Sequence, residues 1–80
     1  MQSAFPIYRV TYRCAPSCAL PDTYHSSSTN AVATARSVCR IEDGLVPAQA
    51  ADVYRETDTG EYLIAVVARQ TDGSVTVTYV

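Results

Sequence analysis

Eighty residues predict one domain on one small core, and 48 % hydrophobic against 18 % charged residues fits a folded globular chain, not a disordered one. No apolar run approaches the roughly 20 residues that cross a bilayer. Met1–Pro6 has neither a basic start nor a long apolar stretch, so it does not read as a signal peptide, and the expectation is a soluble, cytoplasmic protein without a membrane partner. The net charge of −2 hides a division: residues 1–40 carry Arg9, Arg13, Arg36 and Arg40 against Asp22 alone, whereas residues 41–80 carry Arg55 and Arg69 against seven acidic residues.

Ile7 to Cys14 alternates strictly, with Tyr8, Val10 and Tyr12 on one side and Arg9, Thr11 and Arg13 on the other. That period of two predicts a half-buried strand whose Tyr8/Val10/Tyr12 side faces the core. Pro16 and Pro21 interrupt residues 15–28, and residues 14–18 read as a turn. A structureless connection of this length is uncommon, so residues 23–27 are expected to fold back as a short second strand. A helix comes next. Ser28 or Thr29 supplies an N-cap hydroxyl. Ala31, Val32, Ala35, Val38 and Cys39 recur at helical steps on one small-residue face, and Ala33, Arg36, Ser37 and Arg40 point to water. Asp43-Gly44 is expected to end the helix, and Leu45 to Ala51, with Pro47, is expected to form a connection or a short helical turn. Three more strands complete the chain: Asp52 to Thr57, Glu61 to Gln70 and Ser74 to Val80, joined by turns at Asp58-Thr59-Gly60 and Thr71-Asp72-Gly73.

The fold class expected is therefore α+β: a single, mainly antiparallel sheet of four to five strands with one α-helix packed on one face, in the order β-(β)-α-β-β-β. Tyr62 to Ala68 is apolar on both sides, as a strand dry on both faces should be, yet one helix covers only one side of a sheet. The larger Tyr62/Ile64/Val66 side is expected to meet Ala35, Val38 and Cys39. That would leave Leu63 and Val67 on the open side beside Arg9, Thr11 and Arg13, as part of an interface with a target or a second copy.

Few constellations suggest chemistry. Cys14, Cys18, His25 and Cys39 could make a zinc site, but paired C-x2-C knuckles are missing, and ordinary buried thiols are the expected reading of Cys14 and Cys39. No metal or other cofactor is expected. His25 lacks the surroundings of a Cys-His nucleophile pair, no carboxylate pair is set up for acid–base work, and there is no Gly-rich phosphate loop. The expectation is a protein that is not an enzyme. Arg9, Arg13, Arg36 and Arg40 are the candidate nucleic-acid contacts, but the two pairs fall on opposite sides of the sheet in an acidic chain, so direct nucleic-acid binding is not expected. Asp52, Glu56, Asp58, Glu61 and Asp72 rim the C-terminal hairpins. With Leu63 and Val67 they form the candidate surface for docking to a basic protein.

In architecture, size and acidic charge the chain resembles the small sheet-plus-helix proteins of phages and other mobile elements, among them several anti-CRISPR proteins. The resemblance spans the whole chain and carries no motif, so no site residue follows from it. It implies a non-enzymatic, protein-binding inhibitor or adaptor that covers a nucleic-acid-binding surface of a host CRISPR–Cas surveillance complex. The alternatives are a nucleic-acid-binding protein using surface Arg, and a zinc-binding interaction module.

Overall fold

A computed structural model describes residues 6–13, 20–40 and 49–80. Strand β1 spans Ile7–Arg13, β2 Thr23–His25, helix α1 Ser28–Arg40, β3 Ala50–Thr57, β4 Gly60–Arg69 and β5 Val75–Tyr79. All five strands join one antiparallel sheet in the order β2-β1-β3-β4-β5. The α+β expectation therefore holds, including the short strand after the first. β2 and β3 both run antiparallel to β1, hence parallel to each other, and α1 crosses over β1 to connect them. Among the described residues, no helix is long and apolar enough to cross a membrane.

The helix begins one residue earlier than expected. Ser27, not Ser28 or Thr29, is the cap: its Oγ accepts from the Asn30 amide at 3.1 Å, and its carbonyl accepts from Ala31 N at 3.1 Å. Asp43-Gly44, expected as the terminus, lies outside the described residues. Ala31, Val32, Ala35 and Cys39 are buried as their spacing requires, and Ala33, Arg36, Ser37 and Arg40 are exposed. Against this face lie Val10 of β1, Ala51 and Val53 of β3, and Ala65 and Val67 of β4. Valine and alanine dominate, and the largest fully buried side chains are Val10, Val53, Val67 and Cys39. Such small side chains let the helix sit close to the sheet.

The side of β4 that meets the helix corrects the expectation. Ala65 and Val67 are fully buried, so Val67 belongs to the core and not to the open surface, while Tyr62 is 53 % and Leu63 38 % exposed. The cause is a β-bulge. Val53 pairs with Ala65, but the next residue, Tyr54, pairs with Leu63, so Ile64 has no opposite number. The extra residue reverses the inside–outside parity of β4. Beyond the bulge Leu63 and Glu61 face away from the helix, and before it Ala65 and Val67 face toward it. No simple alternation through Tyr62–Ala68 describes such a strand.

Candidate functional site

Register places Ile7, Arg9, Thr11 and Arg13 of β1, Ala50, Asp52, Tyr54 and Glu56 of β3, and Glu61, Leu63, Val66 and Ala68 of β4 on the side away from α1. Thr76 and Thr78 of β5 extend it. Among the described residues nothing covers this face. Leu63, Tyr54 and Val66 supply its large apolar side chains, with the ion pairs of Arg9 and Arg13 toward β1 and the threonines of β5 on the other side.

Arg9 organises those charges. Its guanidinium hydrogen-bonds Glu61, its Nε lies 3.2 Å from Glu56, and its Nη1 lies 3.9 Å from Asp22. Its Cζ also sits 5.3 Å from the centroid of the Tyr54 ring, within cation–π range. One side chain thus ties β1 to the β2 approach, β3 and β4. Partial burial opposes the Arg9 charge, but the Glu61 hydrogen bond and the fields of Glu61, Glu56 and Asp22 outweigh it and raise the pKa further. Glu56 and Glu61 are direct cross-strand partners, and the guanidinium offsets their repulsion. At the other end of β1, Arg13 bonds Asp52 at 3.1 Å.

This arrangement corrects the picture of a free acidic rim. Asp52, Glu56 and Glu61 are paired with arginines from the basic half of the chain, so the charge division along the sequence closes on itself in space. Asp58 and Asp72 lie in the hairpin turns and join none of these ion pairs. Asp72 is committed to its turn: its Oδ1 accepts from the Ser74 hydroxyl at 2.6 Å and the Ser74 amide at 2.9 Å, and these bonds hold its carboxyl below the ordinary value.

The four arginines do not converge. Arg9 and Arg13 are engaged on the open face, whereas Arg36 and Arg40 project from the outer side of the helix. Of the cysteine–histidine set, His25 and Cys39 lie among the described residues and stand apart. Cys14 and Cys18 lie outside the described residues. His25 sits beside Tyr8 just before the helix, and the eleven residues from Ser28 carry Cys39 about 16 Å away. Among the described residues no three His, Cys, Asp or Glu side chains group as metal ligands. Cys39 is fully buried, and burial raises its thiol pKa despite the nearby Arg69 charge.

Two further polar features lie on the helix side or at the sheet end. Thr23 Oγ1 lies 3.1 Å from Tyr12 Oη and 2.9 Å from His25 Nε2, forming a short hydrogen-bonded chain at the β1–β2 edge. Burial raises the Tyr12 pKa. A depression of about 540 Å³ at the sheet end is lined by Gln49, Arg69, Gln70, Thr71 and Gly73.

Sequence reasoning missed Asp22 and Tyr54 as members of the Arg9 cluster, and Val66 as part of the open face. A signal for the ion pairs was present. Arg9 and Arg13 are four residues apart, as are Asp52 and Glu56, and antiparallel pairing of the two strands brings the sets together. Comparisons with protein-family models, with curated proteins and with solved structures found no match.

Proposed function

We propose that the chain is a non-catalytic, cytoplasmic protein-binding module, an inhibitor or adaptor that docks through the helix-free face of its sheet. The observation that carries this reading is the composition of that face: Leu63, Tyr54 and Val66 lie together, flanked on the β1 side by charges already paired with one another. Apolar side chains on an uncovered face gain from burial against a partner. Arg9 and Arg13 are held by carboxylates before any encounter, so little ordering of long side chains remains to be done at docking. Because these charges are paired with one another, the contact is expected to be apolar at its centre, and attraction to a basic surface comes from the net charge of −2 of the whole chain.

The sharpest form of the proposal is an anti-CRISPR-like role, covering a nucleic-acid-binding surface of a host surveillance complex. It rests on architecture, size and acidic net charge. Direct nucleic-acid binding has less support, because Arg9 and Arg13 are occupied and Arg36 and Arg40 face the other way.

Leu63→Asp tests the docking face, since a carboxylate buried there without a partner is expensive. Immobilised wild-type chain should retain host proteins from nuclease-treated lysate, and the variant should lose them while keeping its melting temperature within a few degrees. Equal capture by both chains, or capture that nuclease abolishes, would remove this face from the account.

A further inference from the structure

The two edges of the sheet are built differently. The β2 edge is three residues long, follows Pro21 and Asp22, and carries His25, all features that discourage strand addition. The β5 edge has none of them. Ser74-Val75-Thr76-Val77-Thr78-Tyr79-Val80 contains no charge, no proline and no glycine, and it is rich in β-branched residues. Tyr79 and Val80 are 70 % and 81 % exposed, and among the described residues no strand pairs with the outer side of β5.

Backbone geometry defines what that edge offers. Val80 N donates to Ile64 O at 3.0 Å, and Gln70 N donates to Ser74 O at 2.7 Å. With the β4–β5 register these bonds fix the alternation: residues 74, 76, 78 and 80 turn their backbone groups toward β4, and Val75, Val77 and Tyr79 turn theirs outward.

We propose that this edge pairs with the same edge of a second copy, β5 antiparallel to β5 about a two-fold axis at Val77, joining the two sheets into one. The outward N–H and C=O groups of Val77 meet those of Val77 in the other copy, and those of Val75 meet Tyr79. Each pair exchanges both hydrogen bonds. Side chains match in the same register. On the helix side Val77 lies against Val77 and Val75 against Tyr79, and on the open side Thr76 lies against Thr78. β-branched, aromatic–β-branched and Thr–Thr neighbours are favourable cross-strand pairs, and no like charges meet. A self-complementary strand on a closed two-fold leaves no β5 edge to propagate, and only the short β2 edges remain outside, which distinguishes a dimer from a fibre. This pairing is independent of the docking face and leaves it open on both copies.

The test is sedimentation equilibrium of the whole chain over a concentration series, with Thr76→Lys/Thr78→Lys and Thr76→Glu/Thr78→Glu variants. Both side chains are exposed, and circular dichroism and melting check that each variant is folded. Wild type should reach twice the monomer mass. Each variant alone should dissociate at least about tenfold more readily, because like charges would face each other twice across the axis. Mixing the two variants should restore a dimer containing one of each. A wild type that stays monomeric at high concentration, or variants that dimerise as wild type does, would overturn the proposal. So would folded variants that remain monomeric when mixed.

Discussion

Val66 and Val67 are chemically identical neighbours on β4, yet one faces the open side and the other is fully buried against the helix. Substituting each by alanine therefore measures which side of the strand is core. Val67→Ala removes both γ-methyl groups from a site with no solvent contact, about 0.8 kcal/mol per carbon by transfer. Val67 pairs with Ala51 and Val77 across the sheet, and the buried core it belongs to is all valine, alanine and cysteine, short side chains with little reach to fill the gap, so a cavity contribution adds to the transfer loss. The total is about 2–3 kcal/mol. Val66→Ala, at a partly exposed side chain, should cost less than about 1 kcal/mol. A chain of this length is stable by roughly 4–12 kcal/mol, so Val67→Ala removes a large share of the margin and stays measurable. In urea denaturation the midpoint should fall sharply for Val67→Ala and little for Val66→Ala, with unchanged slope. By heating, the gap corresponds to about 4–8 °C per kcal/mol. Equal losses, or a larger loss at Val66, would mean that Val67 is not the side chain that packs beneath the helix.

Arg9→Met should leave Glu56 and Glu61 facing each other across β3 and β4, lowering stability by about 1 kcal/mol, a small value because the cluster is partly solvated. Added salt should recover part of that loss in the variant and none in wild type; identical salt responses would show that Arg9 does not balance the acidic pair. Tyr12 has a raised pKa, so its contribution is fully present below its ordinary value of 10.0 and is lost as pH rises through the folded-state value. Tyr12→Phe should therefore cost about 0.5–1.5 kcal/mol at neutral pH through the lost Thr23 bond, and decline less steeply than wild type in alkaline denaturation. Parallel alkaline declines would contradict the burial of the hydroxyl.

Most of the element order was legible because periodicity reports burial directly. β1 alternates at every position, and the helix face recurs at three and four residues, so both could be assigned from local pattern. The short β2 followed from chain length alone, since residues 14–28 leave too long a gap for a compact domain. β4 resisted because its apolar residues run through both faces and a bulge changes parity midway. A bulge is a property of two paired strands, and nothing in Tyr62–Ala68 alone marks Ile64 as the unpaired residue. The helix cap slipped by one within a run of three serines, any of which offers the same oxygen. The candidate site was legible as composition but not as connectivity. Arg9, Arg13 and the acids Asp52, Glu56 and Glu61 were all visible, but their mutual pairing depends on β1 lying beside β3, a long-range contact that local sequence does not encode.

The central claim is that the helix-free face is the docking surface, and the arginines provide an internal contrast for it. Every basic side chain in the protein, His25 aside, is arginine. Arg13 is 59 % exposed on the open face, while Arg36 and Arg40 are exposed on the outer side of the helix. Phenylglyoxal labelling of the free chain and of its captured complex, read by mass spectrometry residue by residue, compares the two surfaces in one reaction. Docking through the open face predicts that Arg13 loses labelling in the complex while Arg36 and Arg40 keep theirs; protection of Arg36 and Arg40 with Arg13 unchanged would place the partner on the helix and contradict the account.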